Sequence, residues 1–182
     1  DNSKVDPVWK TIVLTGLGAG GYGYFALDIT DINSPKHLFA IENDPFNKVV
    51  KHLDSDEVYR EYNYKAGIID PKLDYRKLGE TWSTPRIIRI KVSGKDKWVA
   101  VFGAGFNNAA NPNYGSAVFV MDLENEGKLL KKISIAGTSN RVDTIVSSIP
   151  SDLTVITANG TDKANYSGAM VYAADLGGKI TK

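Results

Sequence analysis

Three segments of the sequence repeat one pattern, in which two apolar strand-like runs flank a turn rich in Gly or Asn and an aspartate closes the unit. The repeated segments span residues 11–29, 98–123 and 153–176. Their closing aspartates are Asp28, Asp122 and Asp175. A β-rich unit that recurs along a chain is typical of radial or stacked folds, because one such unit cannot bury its hydrophobic face alone.

The composition is that of a globular protein, with 42% hydrophobic and 24% charged residues among 182. A net charge of +1 gives no reason to expect nucleic acid or an anionic membrane as the main partner. The chain lacks cysteine, which excludes a disulfide scaffold, a thiolate metal site and a cysteine nucleophile. It also lacks a run of about 18 apolar residues, so we expect no transmembrane helix in it. We expect the sequence to be part of a longer protein, since it begins at Asp1 without Met.

The first 80 residues predict a group of strands followed by a different kind of segment. Residues 9–15, 22–30 and 37–43 are short apolar runs bounded by turn residues, which indicates three neighbouring strands. Residues 44–80 are charged, rich in Tyr and less periodic, and we interpret them as an insertion or a long inter-strand connection. Within them, residues 47–62 show a pattern compatible with one helical stretch.

Strand patterns resume after Trp82. The expected strands are residues 83–92, 97–105, 116–123 and 128–137. Four short strands joined by turns of Gly, Asn and Asp are the composition of one four-stranded antiparallel propeller blade. Residues 142–156 and 167–180 begin a further blade. The sequence therefore predicts an all-β fold, in which residues 1–182 form part of one quinoprotein-like β-propeller domain with a long insertion at 44–80.

A glycine-rich motif follows the first expected strand. Gly16, Gly18 and Gly21 satisfy the GxGxxG spacing of dinucleotide-binding proteins. That fingerprint requires a helix next, whose N-terminus holds the pyrophosphate. Residues 22–30 are aromatic and strand-like instead, so we predict an inter-strand turn that uses a positive φ at glycine.

No grouping of residues predicts covalent chemistry. We expect each repeated aspartate to close its own turn by accepting hydrogen bonds from backbone N–H groups. His37 and His52 stand in neither a metal-binding spacing nor a triad context, and we predict that both lie on the surface. Trp82 and Trp98 lie at the starts of expected blade strands, and we expect them to pack in the core or between blades. Serine and threonine are frequent, but they lack the motifs of nucleophilic hydrolases. We therefore predict that the chain is not an enzyme.

One loop has the length and register of a calcium site. Residues 157–165 would place oxygen ligands on alternate residues, as calcium-binding loops do. The candidate metal ligands are Asn159, Thr161, Asp162 and Asn165. Because calcium affinity falls with the charge of the ligands, we expect this degenerate loop to bind calcium weakly or not at all. The alternative is a loop that folds through Asx-type hydrogen bonds without metal.

Several of these pieces together resemble the C-terminal β-propeller of the PilC/PilY family of type IV pilus tip-associated proteins. The matching segments are GLGAGGYGYFALDITD (16–31), TWSTPRIIRI (81–90), KWVAVFGAGFNN (97–108), GSAVFVMDLENEGKLLKKI (115–133) and VYAADLGGKI (171–180). They occur in the order that the family shows and cover about half of the chain.

The resemblance implies a bacterial protein of the cell surface, pilus tip or outer membrane. Members of this family support pilus extension, surface attachment and twitching motility, so the implied partners are pilin subunits or minor pilins and a host-cell or abiotic surface. Some members bind calcium in a propeller loop, and that loop falls here on Asn159, Thr161 and Asn165.

A propeller presents loops from a rigid body, which suits binding rather than catalysis. We predict partner contacts at Tyr59, Tyr62 and Tyr64, because the 44–80 segment has the densest Tyr and charge in the chain and aromatic side chains are favoured at binding hot spots.

Two alternatives remain open at this stage. Quinoprotein dehydrogenases that bind pyrroloquinoline quinone use similar blades, and Ala26–Asp28 and residues 121–128 fit their blade turn loosely. Such an enzyme needs a carboxylate base, cofactor clamps and a metal. An outer-membrane scaffold or lectin-like propeller without a pilus role is the second alternative.

Overall fold

The computed structural model describes residues 9–67, 69–106, 114–135, 147–157 and 169–182, and its strands form three antiparallel sheets. The strands are β1 (Ile12–Gly16), β2 (Gly23–Asp28), β3 (Lys36–Asp44), β4 (Val49–Leu53), β5 (Tyr59–Asn63), β6 (Arg86–Val92), β7 (Lys95–Gly103), β8 (Ala117–Asp122), β9 (Lys128–Ser134), β10 (Thr154–Thr157), β11 (Ala169–Ala174) and β12 (Ile180–Thr181). A short 3-10 turn at Pro71–Leu73 lies between β5 and β6.

Each sheet is a meander of neighbouring strands. The first sheet has the order β1-β2-β3-β4-β5, the second β6-β7-β8-β9 and the third β10-β11-β12. The predicted all-β fold is confirmed, and the second sheet has the four antiparallel strands expected of one blade.

The second sheet is covered on both faces, and its sequence reflects this. In β7, the run Val99–Gly103 is buried throughout. Ala100 and Phe102 belong to one core cluster, whereas Val99 and Val101 belong to the other. A strand buried on both faces reads as a continuous apolar run without alternation, as the sequence WVAVFG does.

The first core lies between the first and second sheets and is built around aromatic rings. The ring centroids of Tyr24 and Phe102 are 4.4 Å apart, those of Phe102 and Phe119 5.6 Å, and those of Tyr75 and Phe119 5.1 Å. All four side chains are at most 2% exposed. Tilted aromatic pairs at these separations contribute about 0.5–1.5 kcal/mol each beyond their area burial.

The second core lies between the second and third sheets and is aliphatic. Its buried members are Val99, Val101, Val118, Ile135, Ile149, Leu153 and Ala173. The three sheets are therefore stacked face to face, with the second in the middle.

The 44–80 segment differs from the prediction. Its first half forms β4 and β5, which extend the sheet of β1 to β3, so the predicted helical stretch is wrong and this part is integral to the sheet. In β4, Val50 and His52 are fully buried on one face, while Lys51 and Leu53 on the other face are half-buried. Because a histidine occupies one of the buried positions, the sequence does not show the apolar–polar alternation that predicts a strand. Residues 64–85 then connect the first sheet with the second.

The repeated aspartates close their turns as predicted. Asp28 Oδ1 accepts a hydrogen bond from the Thr30 N–H at 3.0 Å. Asp122 Oδ1 accepts a hydrogen bond from the Glu124 N–H at 3.0 Å. Asp175 Oδ1 accepts from the N–H groups of Gly177 and Lys179, at 3.0 and 2.9 Å.

The glycine motif is the predicted inter-strand turn, since it connects β1 directly to β2. Gly18 has a φ of +58°, in the left-handed region. At Gly16 the restriction is different, because a Cβ there would lie 2.5 Å from the Thr81 carbonyl oxygen.

Gly105, just after β7, offers a test of how tightly the β7–β8 connection packs against the segment that precedes β6. Gly105 and Gly94 both have positive φ, at +89° and +80°, but a Cβ on Gly105 would lie 2.0 Å from the Glu80 carbonyl oxygen, whereas Gly94 faces open space. We expect Gly105→Ala to lower the free energy of unfolding by at least about 2 kcal/mol more than Gly94→Ala, because it adds overpacking to a shared backbone strain. Urea unfolding of the intact protein, monitored through hydrogen exchange of the amides in β6 to β9, measures the difference in free energy of unfolding between the two variants. Equal losses would mean that the Gly105 loop relaxes freely.

The turn aspartates predict an acid-sensitive contribution to stability. A hydrogen bond with Thr30 lowers the pKa of Asp28 to about 2, and one with Asn47 lowers that of Asp44 to about 2, from an ordinary 3.8. Because both folded-state pKa values are depressed, this stability is present above pH 4 and is lost as the pH falls towards 2. We expect an Asp28→Asn, Asp44→Asn variant to be less stable than the wild type at pH 7 and to converge with it near pH 2. A constant gap across the range would contradict this origin.

Candidate partner-contact surface

The tyrosine-rich strand β5 lies at the edge of the first sheet, paired with β4. Leu53 is opposite Tyr59, and Val50 is opposite Tyr62. Because side chains alternate between faces, Tyr59 and Tyr62 lie on opposite sides of the sheet. Tyr62 is half-buried and packs against the first core, of which Val50 is a fully buried member.

The structure separates the three tyrosines predicted to contact a partner. Tyr59 is 54% exposed, and its hydroxyl donates to Glu61 Oε1 at 2.5 Å, which raises the pKa of Tyr59. Tyr64 is only 8% exposed, and its hydroxyl donates to Asn43 Oδ1 at 3.0 Å. Burial raises the pKa of Tyr64 to about 12. Tyr64 therefore packs in the core and is not available as a surface contact, and Tyr59 alone of the three is well exposed.

Asp54 fixes the turn that precedes Tyr59. Its Oδ1 accepts hydrogen bonds from the backbone N–H groups of Asp56, at 3.1 Å, and Val58, at 2.8 Å. Its Oδ2 pairs with Arg60, and this bond lowers the pKa of Asp54. The turn therefore holds the start of β5 in a defined position.

The first sheet has an outer face that points away from the second sheet. Cross-strand pairing places Thr15, Phe25, Ala40, Leu53 and Tyr59 in one row across it. This row is half-buried or exposed, and its members other than Thr15 line a groove of about 420 Å³. The groove is apolar, apart from His37 and a Glu42–Lys51 ion pair with a 3.4 Å N–O distance.

A seam of hydrogen bonds joins the first sheet and its following connection to the turn between β8 and β9. His52 Nε2 lies 2.9 Å from the Glu126 carbonyl oxygen, and the Ser55 hydroxyl donates to Glu126 Oε1 at 3.2 Å. The Tyr75 hydroxyl donates to the Gly127 carbonyl at 2.6 Å. His52 is only 1% exposed, so the prediction of a surface residue is wrong. Its role is to hold a turn of the neighbouring sheet.

An ion-pair cluster lies beside this seam. Asp74 bonds Arg76 Nε at 2.8 Å and also pairs with Lys132 of β9. Burial alone would raise the pKa of Asp74, but the hydrogen bonds from Arg76 and Lys132 outweigh it and lower that pKa. The carboxylate therefore stays charged at neutral pH and joins the connection after the first sheet to the second sheet.

An aromatic corner lies where the β1–β2 loop meets the connection to β6. Trp82 is 53% exposed and Leu17 is 44% exposed. The Trp82 indole N–H donates to Glu80 Oε2 at 3.0 Å, and Gly18 lies under its ring. Leu17 lines the groove of about 420 Å³ on the outer face of the first sheet, and Trp82 lines a separate hollow of about 230 Å³. Trp98 is 46% exposed, so neither tryptophan lies in the core, and that alternative of the prediction is wrong for both.

The described residues contain no group of three or more His, Cys, Asp or Glu side chains placed to hold a metal ion. The predicted calcium ligands Asn159, Thr161, Asp162 and Asn165 lie outside the described residues, so that site stays a prediction. In the part of the chain that the structure covers, no helix has the length and apolarity to cross a membrane.

The PilY1 β-propeller domain model matches residues 2–182 of this chain. Type IV pilus biogenesis factor PilY1 of Pseudomonas aeruginosa strain UCBPP-PA14 is 30% identical over 71% of the chain. The protein of the same name from strain PAO1 is 26% identical over 94%, and the PilY1 homolog of Xylella fastidiosa strain Temecula1 is 25% identical over 100%. The chain spans only 8–11% of the length of these relatives. No solved structure matches it significantly.

From the hydrogen bonds of the seam, we expect two tyrosine substitutions to lower the stability by different amounts. Tyr75→Phe deletes a fully buried hydroxyl and leaves the Gly127 carbonyl without that bond, so we expect it to lower the free energy of unfolding by about 1–3 kcal/mol. Tyr59→Phe deletes an exposed hydroxyl and should change stability by less than about 0.5 kcal/mol. Urea unfolding of the two variants gives the comparison. Similar values for both would show that the seam contributes nothing measurable.

Proposed function

This chain belongs to the PilY1 β-propeller domain family, and from that premise we propose that it is a domain of a type IV pilus biogenesis factor. The observation that carries the proposal is the family match over residues 2–182, supported by relatives whose names describe this role. We propose a location at the cell surface or pilus, with pilin subunits or minor pilins as partners. Surface attachment and twitching motility would depend on the pili that this factor supports.

We propose that the domain binds and does not catalyse. The support for this proposal is that the buried polar side chains of the domain hold turns in place. His52 and Tyr75 hold the turn between β8 and β9. Asp122 is 2% exposed and closes its own turn while pairing with Lys97 at 2.7 Å. These groups stabilise a rigid body, and a rigid body that presents loops suits contacts that bear load.

For the contact with pilus subunits we propose the aromatic corner formed by Leu17 and Trp82. Large, exposed aromatic and aliphatic side chains on an ordered loop contribute strongly when a partner covers them. Two contacts with Thr81 order the corner: the Leu17 N–H donates to the Thr81 hydroxyl at 2.8 Å, and Gly18 forms an isolated antiparallel β-bridge with Thr81. It therefore gains contact area without a large cost in conformational entropy.

Deletion of the gene in the source bacterium, followed by complementation, tests the pilus role and the aromatic corner as the contact. We expect deletion to remove pili from the sheared surface fraction and the wild-type gene to restore them. A Trp82→Ala gene should restore at most about a tenth of them, since losing a hot-spot aromatic costs on the order of 2 kcal/mol in binding.

Ile32→Ala is the matched control, because Ile32 is 80% exposed in a turn away from the corner, and it should restore pili fully. Immunoblots must show equal protein levels. Unchanged piliation on deletion would overturn the pilus role, whereas full restoration by Trp82→Ala would overturn only the corner as the contact.

A further inference from the structure

Trp82 borders a hollow of about 230 Å³, the Trp82 hollow, which lies between β1 and the segment that leads into β6. Residues 14–16 and Gly18 line one side, and residues 81–85 line the other. Four of these residues carry hydroxyl groups, and none carries a charge. Pockets that hold drug-sized ligands measure about 300–1,000 Å³, so the Trp82 hollow suits a smaller molecule with a single ring.

Strand β1 brings backbone hydrogen-bonding groups to the Trp82 hollow. The Ile29 N–H donates to the Thr11 carbonyl at 2.8 Å, which shows that the odd-numbered residues of β1 bond to β2. Because the bonds of an antiparallel pair alternate along the strand, Leu14 and Gly16 direct their N–H and C=O groups towards the free edge. No strand of the described residues pairs with that edge. The hollow therefore offers both donors and acceptors from the backbone.

Of the four hydroxyl groups, two hold the walls of the hollow in place and two are accessible. Thr81 and Ser83 are at most 4% exposed, and their hydroxyl oxygens bond backbone groups of β2 and β7. Thr84 is exposed, and its hydroxyl makes no hydrogen bond within the described part of the chain. Thr15 is half-buried, and its hydroxyl makes only a long bond of 3.3 Å to the next carbonyl. A ligand in the hollow can therefore bond to Thr84 and Thr15.

Trp82 supplies a flat apolar wall. Its indole N–H donates to Glu80 Oε2 at 3.0 Å, and a Cβ on Gly18 would lie 3.8 Å from its ring, so the ring is held from two sides. The side chain is nevertheless 53% exposed. The C–H groups on one face of a sugar ring pack on an aromatic ring, whereas the hydroxyl groups at its edge need hydrogen-bonding partners. The Trp82 hollow presents both kinds of surface.

Two carboxylates beside the hollow select against a negatively charged ligand. Glu80 accepts the Trp82 indole N–H, and Asp152 Oδ1 accepts the Thr84 N–H at 2.7 Å. Arg86 lies 4.0 Å from Asp152, but an exposed pair at this distance offsets little of its charge. Like charges brought together weaken binding, so a uronic acid or a phosphorylated sugar should bind less well than a neutral ring.

We propose that the Trp82 hollow is a sugar-binding site, which takes one neutral pyranose ring at the end of a glycan. The ring stacks on the Trp82 indole, and its hydroxyl groups bond to Thr84 and to the free edge of β1. The glycan belongs to the pilus or to a foreign surface, since both can present the same ring. The site shares Trp82 with the aromatic corner, but it does not rest on the proposed pilus role, because binding of a free sugar needs no pilus subunit.

Saturation-transfer NMR on the intact protein tests the site directly. The probes are the methyl glycosides of glucose, galactose and mannose, each paired with the methyl glycoside of its uronic acid. We expect at least one neutral glycoside to bind with a dissociation constant of the order of 1 mM, because a single ring makes few contacts. Its uronic acid should bind at least about 3-fold more weakly at low salt, and added salt should narrow the difference.

Substitutions assign the binding to the Trp82 hollow. Trp82→Ala should weaken it at least about 10-fold, whereas Trp82→Phe keeps an aromatic wall and should weaken it less. Trp98→Ala is the matched control and should leave binding unchanged, because Trp98 is also half-exposed, at 46%, and does not line the hollow. Thr84→Val removes a hydroxyl and keeps the shape of the side chain, so we expect binding about 3–10-fold weaker and pili fully restored in the deletion strain.

Three results would overturn the proposal. One is the absence of saturation transfer to every glycoside, and another is binding that Trp82→Ala leaves unchanged. The third is displacement of the glycosides by p-cresol at equal concentration, which would mean that the hollow takes an aromatic side chain of a protein. None of these results affects the pilus role, which the deletion strain tests separately.

Sheared wild-type pili identify the source of the sugar. Competition by these pili that is lost after periodate oxidation assigns the ring to a glycan of the pilus. Binding of the glycoside without such competition assigns the ring to a foreign surface, and either result supports a sugar site. A uronic acid that binds more tightly than its neutral partner would overturn the choice of a neutral ring.

Discussion

The packing of Tyr24 and Tyr75 against Phe102 and Phe119 is the interaction on which the rest of the described structure depends. These rings join the first sheet and the connection that follows it to the second sheet, and the burial of the two tyrosines leaves hydroxyl groups that need partners. The Tyr24 hydroxyl donates to the Ser83 carbonyl at 2.7 Å, and the Tyr75 hydroxyl donates to Gly127 at 2.6 Å. Each tyrosine therefore positions a loop as well as filling the core. Trp82 of the aromatic corner directly precedes Ser83 in the chain, so the Tyr24–Ser83 bond helps to fix its position.

Much of the fold follows from local sequence rules, and the reasons are visible in particular residues. Alternation and turn residues located β1 to β3 and β6 to β9, because those strands are short apolar runs with Gly, Asn or Asp between them. Asp28, Asp122 and Asp175 were assigned to their turns because a side-chain oxygen two residues before an N–H group closes an Asx turn without tertiary help. The propeller and its family were predicted from the same repeats and the motifs within them.

The sequence-based predictions are wrong at residues whose position is decided by tertiary contacts and not by the local pattern. His52 looked like a surface residue because its partner, the Glu126 carbonyl, is 74 positions away in sequence. Tyr64 was mistaken for a contact residue because its charged neighbours mask a hydroxyl that meets Asn43 across the first sheet. Trp82 looked like core, yet the loop that bears it lies at the edge of the stack. Which tyrosine remains exposed depends on strand pairing, and no local signal in residues 44–80 reveals it.

Native-state hydrogen exchange tests the dependence on the aromatic contact most directly. If the rings make the first two sheets one cooperative unit, Phe102→Leu lowers the opening free energies of β2 and β3 amides by the same amount as those of β7 and β8. The account predicts equal losses in both sheets of the intact protein. A loss confined to β7 and β8, with β2 and β3 unchanged, would show that the sheets are stabilised separately and would contradict it.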